Sequence, residues 1–208
     1  MNTERTIIGW GFWLVWGLAS LFGYIVGALL GIYVAYGLFD RDVFDATIGI
    51  TFGIVMGATG GCLQWVVLRK KVGRVGPWVL ASALGFAITF GTLGTIGIGE
   101  SDADYVMAGI LFAAGFGIAG GLLQWLVLKR AGIARAGLWV AASILGSLVT
   151  AIGFPTSAAI GMSGNYSLSA MVFGLFLGAG LGAIPGAVLV WLLRQSSFGN
   201  VEGMATAH

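Results

Sequence analysis

Six long stretches of this chain contain no Asp, Glu, Lys or Arg, near residues 14–39, 47–68, 77–99, 105–128, 138–160 and 168–193. A helix crossing about 30 Å of hydrocarbon at about 1.5 Å per residue needs roughly 20 apolar residues. Each stretch meets that length, so the expectation is an all-α integral membrane protein with six transmembrane helices in a single membrane domain over residues 1–208. Composition agrees: 9% of residues are charged and 58% apolar, whereas a soluble domain carries about 25% charged residues. With 3 prolines and so large an apolar fraction, the 37 glycines do not mark a disordered chain. The apolar stretch from Thr6 to Phe39 exceeds the 7–15 residues of a signal-peptide core. It is read as an uncleaved first helix, with residues 6–13 as an interfacial lead-in.

Orientation follows from the basic residues. Arg5 precedes the first span, Arg69, Lys70, Lys71 and Arg74 follow the second, Lys129, Arg130 and Arg135 follow the fourth, and Arg194 follows the sixth, so nine of ten lie on one side. The opposite side holds Arg41 with Asp40, Asp42, Asp45, Glu100, Asp102 and Asp104. Basic loops stay cytoplasmic, which places both termini inside a bacterial cytoplasmic membrane. The same basic clusters are candidate contacts for anionic lipid, at about 1 kcal/mol per residue. The net charge is only +2, and no basic run is built to track nucleic-acid phosphates.

All eight tryptophans fall toward the basic side: Trp10, Trp13 and Trp16 open the first span, Trp78 and Trp139 open the third and fifth, and Trp65, Trp125 and Trp191 sit near the ends of the even spans. Indoles favour the headgroup level, so the first reading is interfacial anchoring. The second is a stacking surface for ligand, lipid or partner, with Trp65, Trp125, Trp78 and Trp139 as candidate contacts.

Two patterns alternate along the chain. The odd spans share W-x-x-A-S-x-x-G, at Trp16-Ala19-Ser20-Gly23, Trp78-Ala81-Ser82-Gly85 and Trp139-Ala142-Ser143-Gly146, offset by 62 and 61 residues. The second and fourth spans share Gly57-x-x-Gly60-Gly61-x-Leu63-Gln64-Trp65 and Gly117-x-x-Gly120-Gly121-x-Leu123-Gln124-Trp125. A degraded copy, Gly182-x-x-Pro185-Gly186, lies in the sixth, with Pro185 standing for Gly60 and no Gln. The chain thus reads as three parallel two-helix repeats, approximately 14–75, 76–136 and 137–195, with a tail over 196–208. Such repeats relate by an axis along the membrane normal, which predicts a pseudo-threefold bundle. Each even span also carries a ridge of small residues four apart: Gly49, Gly53, Gly57 and Gly61; Gly109, Ala113, Gly117 and Gly121; Gly174, Gly178, Gly182 and Gly186. Lipid supplies little drive for helix association, so close backbone approach must do so. The ridges are therefore read as packing devices within the bundle or between copies, and secondarily as room for a flat ligand.

Chemistry is sparse. No span contains a charged residue, which argues against proton relays and ion-coupled transport. His208, the last residue, is the only histidine, which weakens chlorin, haem and zinc ligation. Gly161-Met162-Ser163-Gly164 matches the G-x-S-G of rhomboid-type proteases, but that serine needs a base the spans do not contain. Gln64 and Gln124 stand at equivalent places inside the basic edge, read first as interhelical hydrogen-bonding groups worth about 0.6–2 kcal/mol and second as contacts to a ligand. The serines are expected to bond back to their own helices.

The paired strings Gly60-Gly61-Cys62-Leu63-Gln64-Trp65 and Gly120-Gly121-Leu122-Leu123-Gln124-Trp125, each followed by a basic turn and a Trp-initiated helix, resemble a broad group of uncharacterised bacterial polytopic membrane proteins built from repeated Gly-Gly-x-Leu-Gln-Trp hairpins. The resemblance implies the hairpin fold and assigns no activity to any residue. Function is therefore expected to be non-catalytic: an accessory or assembly subunit of a larger, energy-converting membrane complex, joined to other membrane subunits or to itself. The alternatives are a small-solute transporter or its substrate-binding component, with polar residues near Thr89, Thr92, Thr95, Thr150, Thr156, Asn165 and Tyr166, and a protein that organises carotenoid, chlorin or quinone. No cofactor is required by any motif; lipid, carotenoid or quinone are the ligands such a bundle suits.

Overall fold

A computed structural model describes residues 9–39, 44–97 and 101–205. Arg5, Asp40, Arg41, Asp42, Glu100 and His208 lie outside the described residues. Among the described residues, six helices are long and apolar enough to cross a membrane: α1 (Trp10–Phe39), α2 (Ala46–Leu68), α3 (Trp78–Ile96), α4 (Ala103–Arg130), α5 (Leu138–Met162) and α6 (Tyr166–Gln195). By these candidate spans the chain is a multi-pass membrane protein. Helix α1 starts at Trp10, so part of the expected lead-in is already helical.

The even helices start alike at the acidic end, each on a side-chain cap that satisfies a backbone N–H left over by the first turn. Asp45 accepts from the Ile48 N–H at 2.9 Å, and Asn165 from the Leu168 N–H at 3.1 Å. Ser101 and Asp104 form a reciprocal capping box, with the Asp104 N–H donating to Ser101 Oγ at 3.3 Å and the Ser101 N–H to Asp104 Oδ2 at 3.2 Å. At the basic end the two tight turns share another feature: Arg74 and Arg135, each four residues before a tryptophan that opens the next helix region, have φ of 59° and 55°. Left-handed backbone is costly for a residue with a Cβ.

Helices α4 and α6 each contain a wide, π-helical stretch, Phe116–Gly120 and Gly178–Ala183. Such a bulge re-phases the faces above and below it. Pro155 lies inside α5, which continues to Met162.

The helix backbones form a ring in which each touches its chain neighbours and α6 returns to α1. The interior is filled in two layers. Near the basic end, Trp16, Trp78 and Trp139 pack with Leu68, Leu128 and Leu189. Toward the acidic end, Phe86, Phe90, Phe112, Phe116, Phe154 and Phe173 interlock, with ring centroids as close as 4.2 Å for Phe86 and Phe116. The polar side chains Ser20, Gln64, Ser82, Gln124, Ser143, Ser147 and Thr150 are buried.

Candidate functional site

The glycine ridges lie against neighbouring helices, and always against the odd helix that follows. A Cβ on Gly53 would stand 2.5 Å from the Phe86 carbonyl oxygen, one on Gly57 2.6 Å from that of Ser82, and one on Gly61 2.8 Å from Ser82 Cβ; Gly49 faces the Phe90 carbonyl. Thus α2 packs on α3. Gly109 meets the Ala151 carbonyl oxygen at 2.5 Å, Gly117 meets Ile144 Cα at 2.9 Å, and Gly121 meets Ser143 Cβ at 3.0 Å, which packs α4 on α5. Gly174, Gly178 and Gly182 come within 2.6 Å of Ile25 Cα, 2.5 Å of Leu21 Cα and 2.7 Å of Ser20 Cβ, which packs α6 on α1. In place of a Cβ each ridge glycine carries a hydrogen, several of them aimed at carbonyl oxygens, the geometry of a Cα–H···O contact. Pro155 adds to this: lacking an N–H, it leaves the Ala151 carbonyl without its usual helical donor, and that is the oxygen Gly109 faces.

The same contacts give α6 a register other than the expected one, in which Pro185 stands for Gly60. Ser82 faces Gly61, Ser143 faces Gly121, and Ser20 faces Gly182. Three residues after each of these glycines stand Gln64, Gln124 and Pro185, and seven after stand Leu68, Leu128 and Leu189, all three fully buried. Pro185 therefore occupies the glutamine position and not that of Gly60. Gly186 lies one turn beyond the ridge glycine, with its Cβ position 2.6 Å from Trp16 Cδ1.

Both glutamines hold the same bonding pattern. Gln64 Nε2 donates to Ser20 Oγ at 3.0 Å and to the Tyr24 hydroxyl at 3.3 Å, while its Oε1 accepts from Trp78 Nε1 at 3.1 Å. Gln124 Nε2 donates to Ser82 Oγ at 3.0 Å, and its Oε1 accepts from Trp139 Nε1 at 3.0 Å. Indole is a donor only, so each amide has one workable orientation. Ser20, Ser82 and Ser143 donate to the carbonyls of Trp16, Trp78 and Trp139 at 2.9, 3.0 and 2.9 Å. Each glutamine thus ties together three consecutive helices. The third seam has proline where the amide would be, and Trp16 Nε1 is a buried N–H with no hydrogen-bond partner among the described residues.

Trp16, Trp78 and Trp139 are not interfacial anchors. They are 0%, 0% and 2% exposed and meet edge to face, with centroids 5.8 Å apart for Trp16 and Trp78, 6.2 Å for Trp16 and Trp139, and 5.3 Å for Trp78 and Trp139. The three rings close the bundle axis. Trp65 and Trp125 lie half-buried at the outside, under the cations of Arg69 at 4.5 Å and Lys129 at 5.0 Å from the ring centroids, and Arg135 stands 5.9 Å over Trp191. Lys70, Lys71, Arg74 and Arg130 are exposed at the same end.

The threonines of the expected polar pocket are turned to their own backbones: Thr89, Thr92, Thr95, Thr150 and Thr156 donate to the carbonyls of Gly85, Ile88, Gly91, Gly146 and Ile152. Asn165 is a cap and Tyr166 is exposed. A groove of about 380 Å³ does run between α3 and α4, past Thr89, Thr92, Leu93, Leu111, Gly115 and Ile118, and its walls are almost wholly apolar.

Tyr24, Trp16 and Pro185 belong with Gln64, Gln124, Trp78 and Trp139 in one belt across the bundle, and the sequence alone does not single them out as contact residues. Trp16 carries a signal, the W-x-x-A-S-x-x-G pattern it shares with Trp78 and Trp139. Pro185 is recognised only once the ridge contacts fix its register.

Fold and belt together define a multi-pass, all-helical membrane protein whose buried polar side chains are bound to one another or to backbone carbonyls. No protein-family model, no curated protein and no solved structure matches the chain.

Proposed function

We propose that this protein is a non-catalytic accessory or assembly subunit of a larger membrane complex, an energy-converting one in a bacterial cytoplasmic membrane, with both termini cytoplasmic. In this reading the chain belongs with the Gly-Gly-x-Leu-Gln-Trp hairpin proteins, and its six helices are three repeats about a pseudo-threefold axis. The observation that carries it is the use made of the interior: the buried amides of the spans, Gln64 and Gln124, are spent on Ser20, Tyr24, Ser82, Trp78 and Trp139. Large rings fill what lies between. A bundle so occupied acts through its outer surface, where Leu80, Ile88, Leu145, Leu148 and Ile152 are exposed. The repeat is supported by ridges that each face the next odd helix, a scheme that joins hairpin to hairpin and returns α6 to α1.

The test is size at native expression. Solubilised in mild detergent, the protein is expected to migrate in a heteromeric complex whose other subunits mass spectrometry names. Migration only as a lone monomer overturns the proposal.

One observation favours a second reading. The apolar groove between α3 and α4 has the volume of a small-ligand site, which suits carotenoid or quinone better than a polar solute. A visible absorption band, or quinone in the organic extract of purified protein, is the outcome that reading requires.

A further inference from the structure

The three ridge seams are not equal. Glutamine–indole bonds close the α2–α3 and α4–α5 seams, whereas the α6–α1 seam has Pro185 and the unpartnered Trp16 Nε1. Two grooves open along that same seam. One, of about 240 Å³, runs between Leu14, Gly17 and Leu21 of α1 and Gly178, Ala179 and Ala183 of α6, and is apolar. The other, of about 120 Å³, lies at the basic end among Trp10, Trp13, Trp191 and Arg194. Trp13 walls both, so they lie end to end as a track along the seam, which its indole crosses where Nε1 donates to the Ala183 carbonyl at 2.9 Å. From Trp10 to Leu21 the track runs about 16 Å along α1, close to the hydrocarbon depth of one leaflet, about 15 Å. Its mouth is cationic and aromatic: Arg194 is exposed, Trp10 is 78% exposed, and the Arg135 guanidinium lies over Trp191.

We propose that this seam is a binding site for one anionic phospholipid, its phosphate at Arg194 and Arg135 between Trp10 and Trp191, and an acyl chain laid along Gly17 and Ala179. The charge of the mouth selects the headgroup, and the small residues make room for the chain where the glutamine tie of the other seams is missing. The lipid covers the outer side of a seam whose backbones already meet at Gly174, Gly178 and Gly182 and which has no amide of its own.

Native mass spectrometry of the full chain, exchanged into equal amounts of phosphatidylglycerol and phosphatidylcholine, reads this directly. The wild type is expected to retain a single phosphatidylglycerol in preference to phosphatidylcholine. Arg194→Gln should reduce that retention about fivefold, the equivalent of roughly 1 kcal/mol per basic residue near a lipid surface. Gly17→Phe, at a position where a Cβ meets nothing within 4 Å, should fill the track and abolish retention. Gly37→Phe, equally open but at the far end of α1, should leave it unchanged. Equal retention of both lipids by the wild type, wild-type retention by Gly17→Phe or Arg194→Gln, or loss in Gly37→Phe overturns the proposal.

Discussion

A buried indole N–H in a membrane bundle has no water to fall back on, so whether it finds an acceptor is felt in stability. Trp78 and Trp139 find Gln64 and Gln124; Trp16 finds none. Phenylalanine at the three positions separates packing from hydrogen bonding. Trp78→Phe and Trp139→Phe each remove a bond and orphan a buried amide oxygen, so each should cost about 1–3 kcal/mol more than Trp16→Phe, read from unfolding in mixed micelles. Equal losses at all three would contradict the bonding described. Conversely, Pro185→Gln offers Trp16 the missing acceptor, with an expected gain of about 0.6–1.7 kcal/mol; the gain should vanish in a Trp16→Phe background, because its source is that one N–H. The role of the glutamines is legible in the sequence itself: an amide repeated at matched places inside apolar spans has few uses besides tying helices together. The inward turn of the tryptophans is not. An indole near the end of a span serves the headgroup region or the core equally well by composition, and only the direction of its face decides.

At the scale of the element, ridge glycines and outward glycines have the same identity and opposite consequences. Gly53→Val drives a branched side chain into the Phe86 carbonyl, 2.5 Å from its Cβ position. The expected destabilisation is about 1–3 kcal/mol or more, with α2 and α3 forced apart. Gly37→Val meets nothing within 4 Å and should unfold within about 0.5 kcal/mol of the wild type. The basic turns invite the reverse change: Arg135→Gly relieves a left-handed φ of 55°, with an expected gain of about 1 kcal/mol, partly offset by the greater freedom glycine has when unfolded. Failure of that variant to refold as tightly as the wild type would mean that the Arg135 contact with Trp191 outweighs the strain. Helix number and approximate extent are readable from sequence because each span is bounded by charge or by a capping residue such as Asp45 or Ser101. The two π-helical stretches are not readable. Glycine-rich sequence permits a wide turn without requiring one, and the shift of Pro185 into the glutamine position follows from how α6 meets α1.

For the whole molecule, the proposed role depends on a division between an occupied interior and an available exterior. Amides, serines, indoles and phenyl rings are used inward, while the outer faces of α3 and α5 present Leu80, Ile88, Leu145, Leu148 and Ile152. An outward side chain on a bilayer-spanning bundle faces either acyl chains or a partner helix. A direct distinction comes from replacing outward positions such as Leu80, Ile110, Leu145 and Ile152 one at a time with a photoreactive amino acid, irradiating native membranes, and identifying the adducts. Adjacent positions on one outer face are expected to crosslink to a second polypeptide while the remaining faces give lipid adducts. Lipid adducts at every outward position would contradict the proposed role.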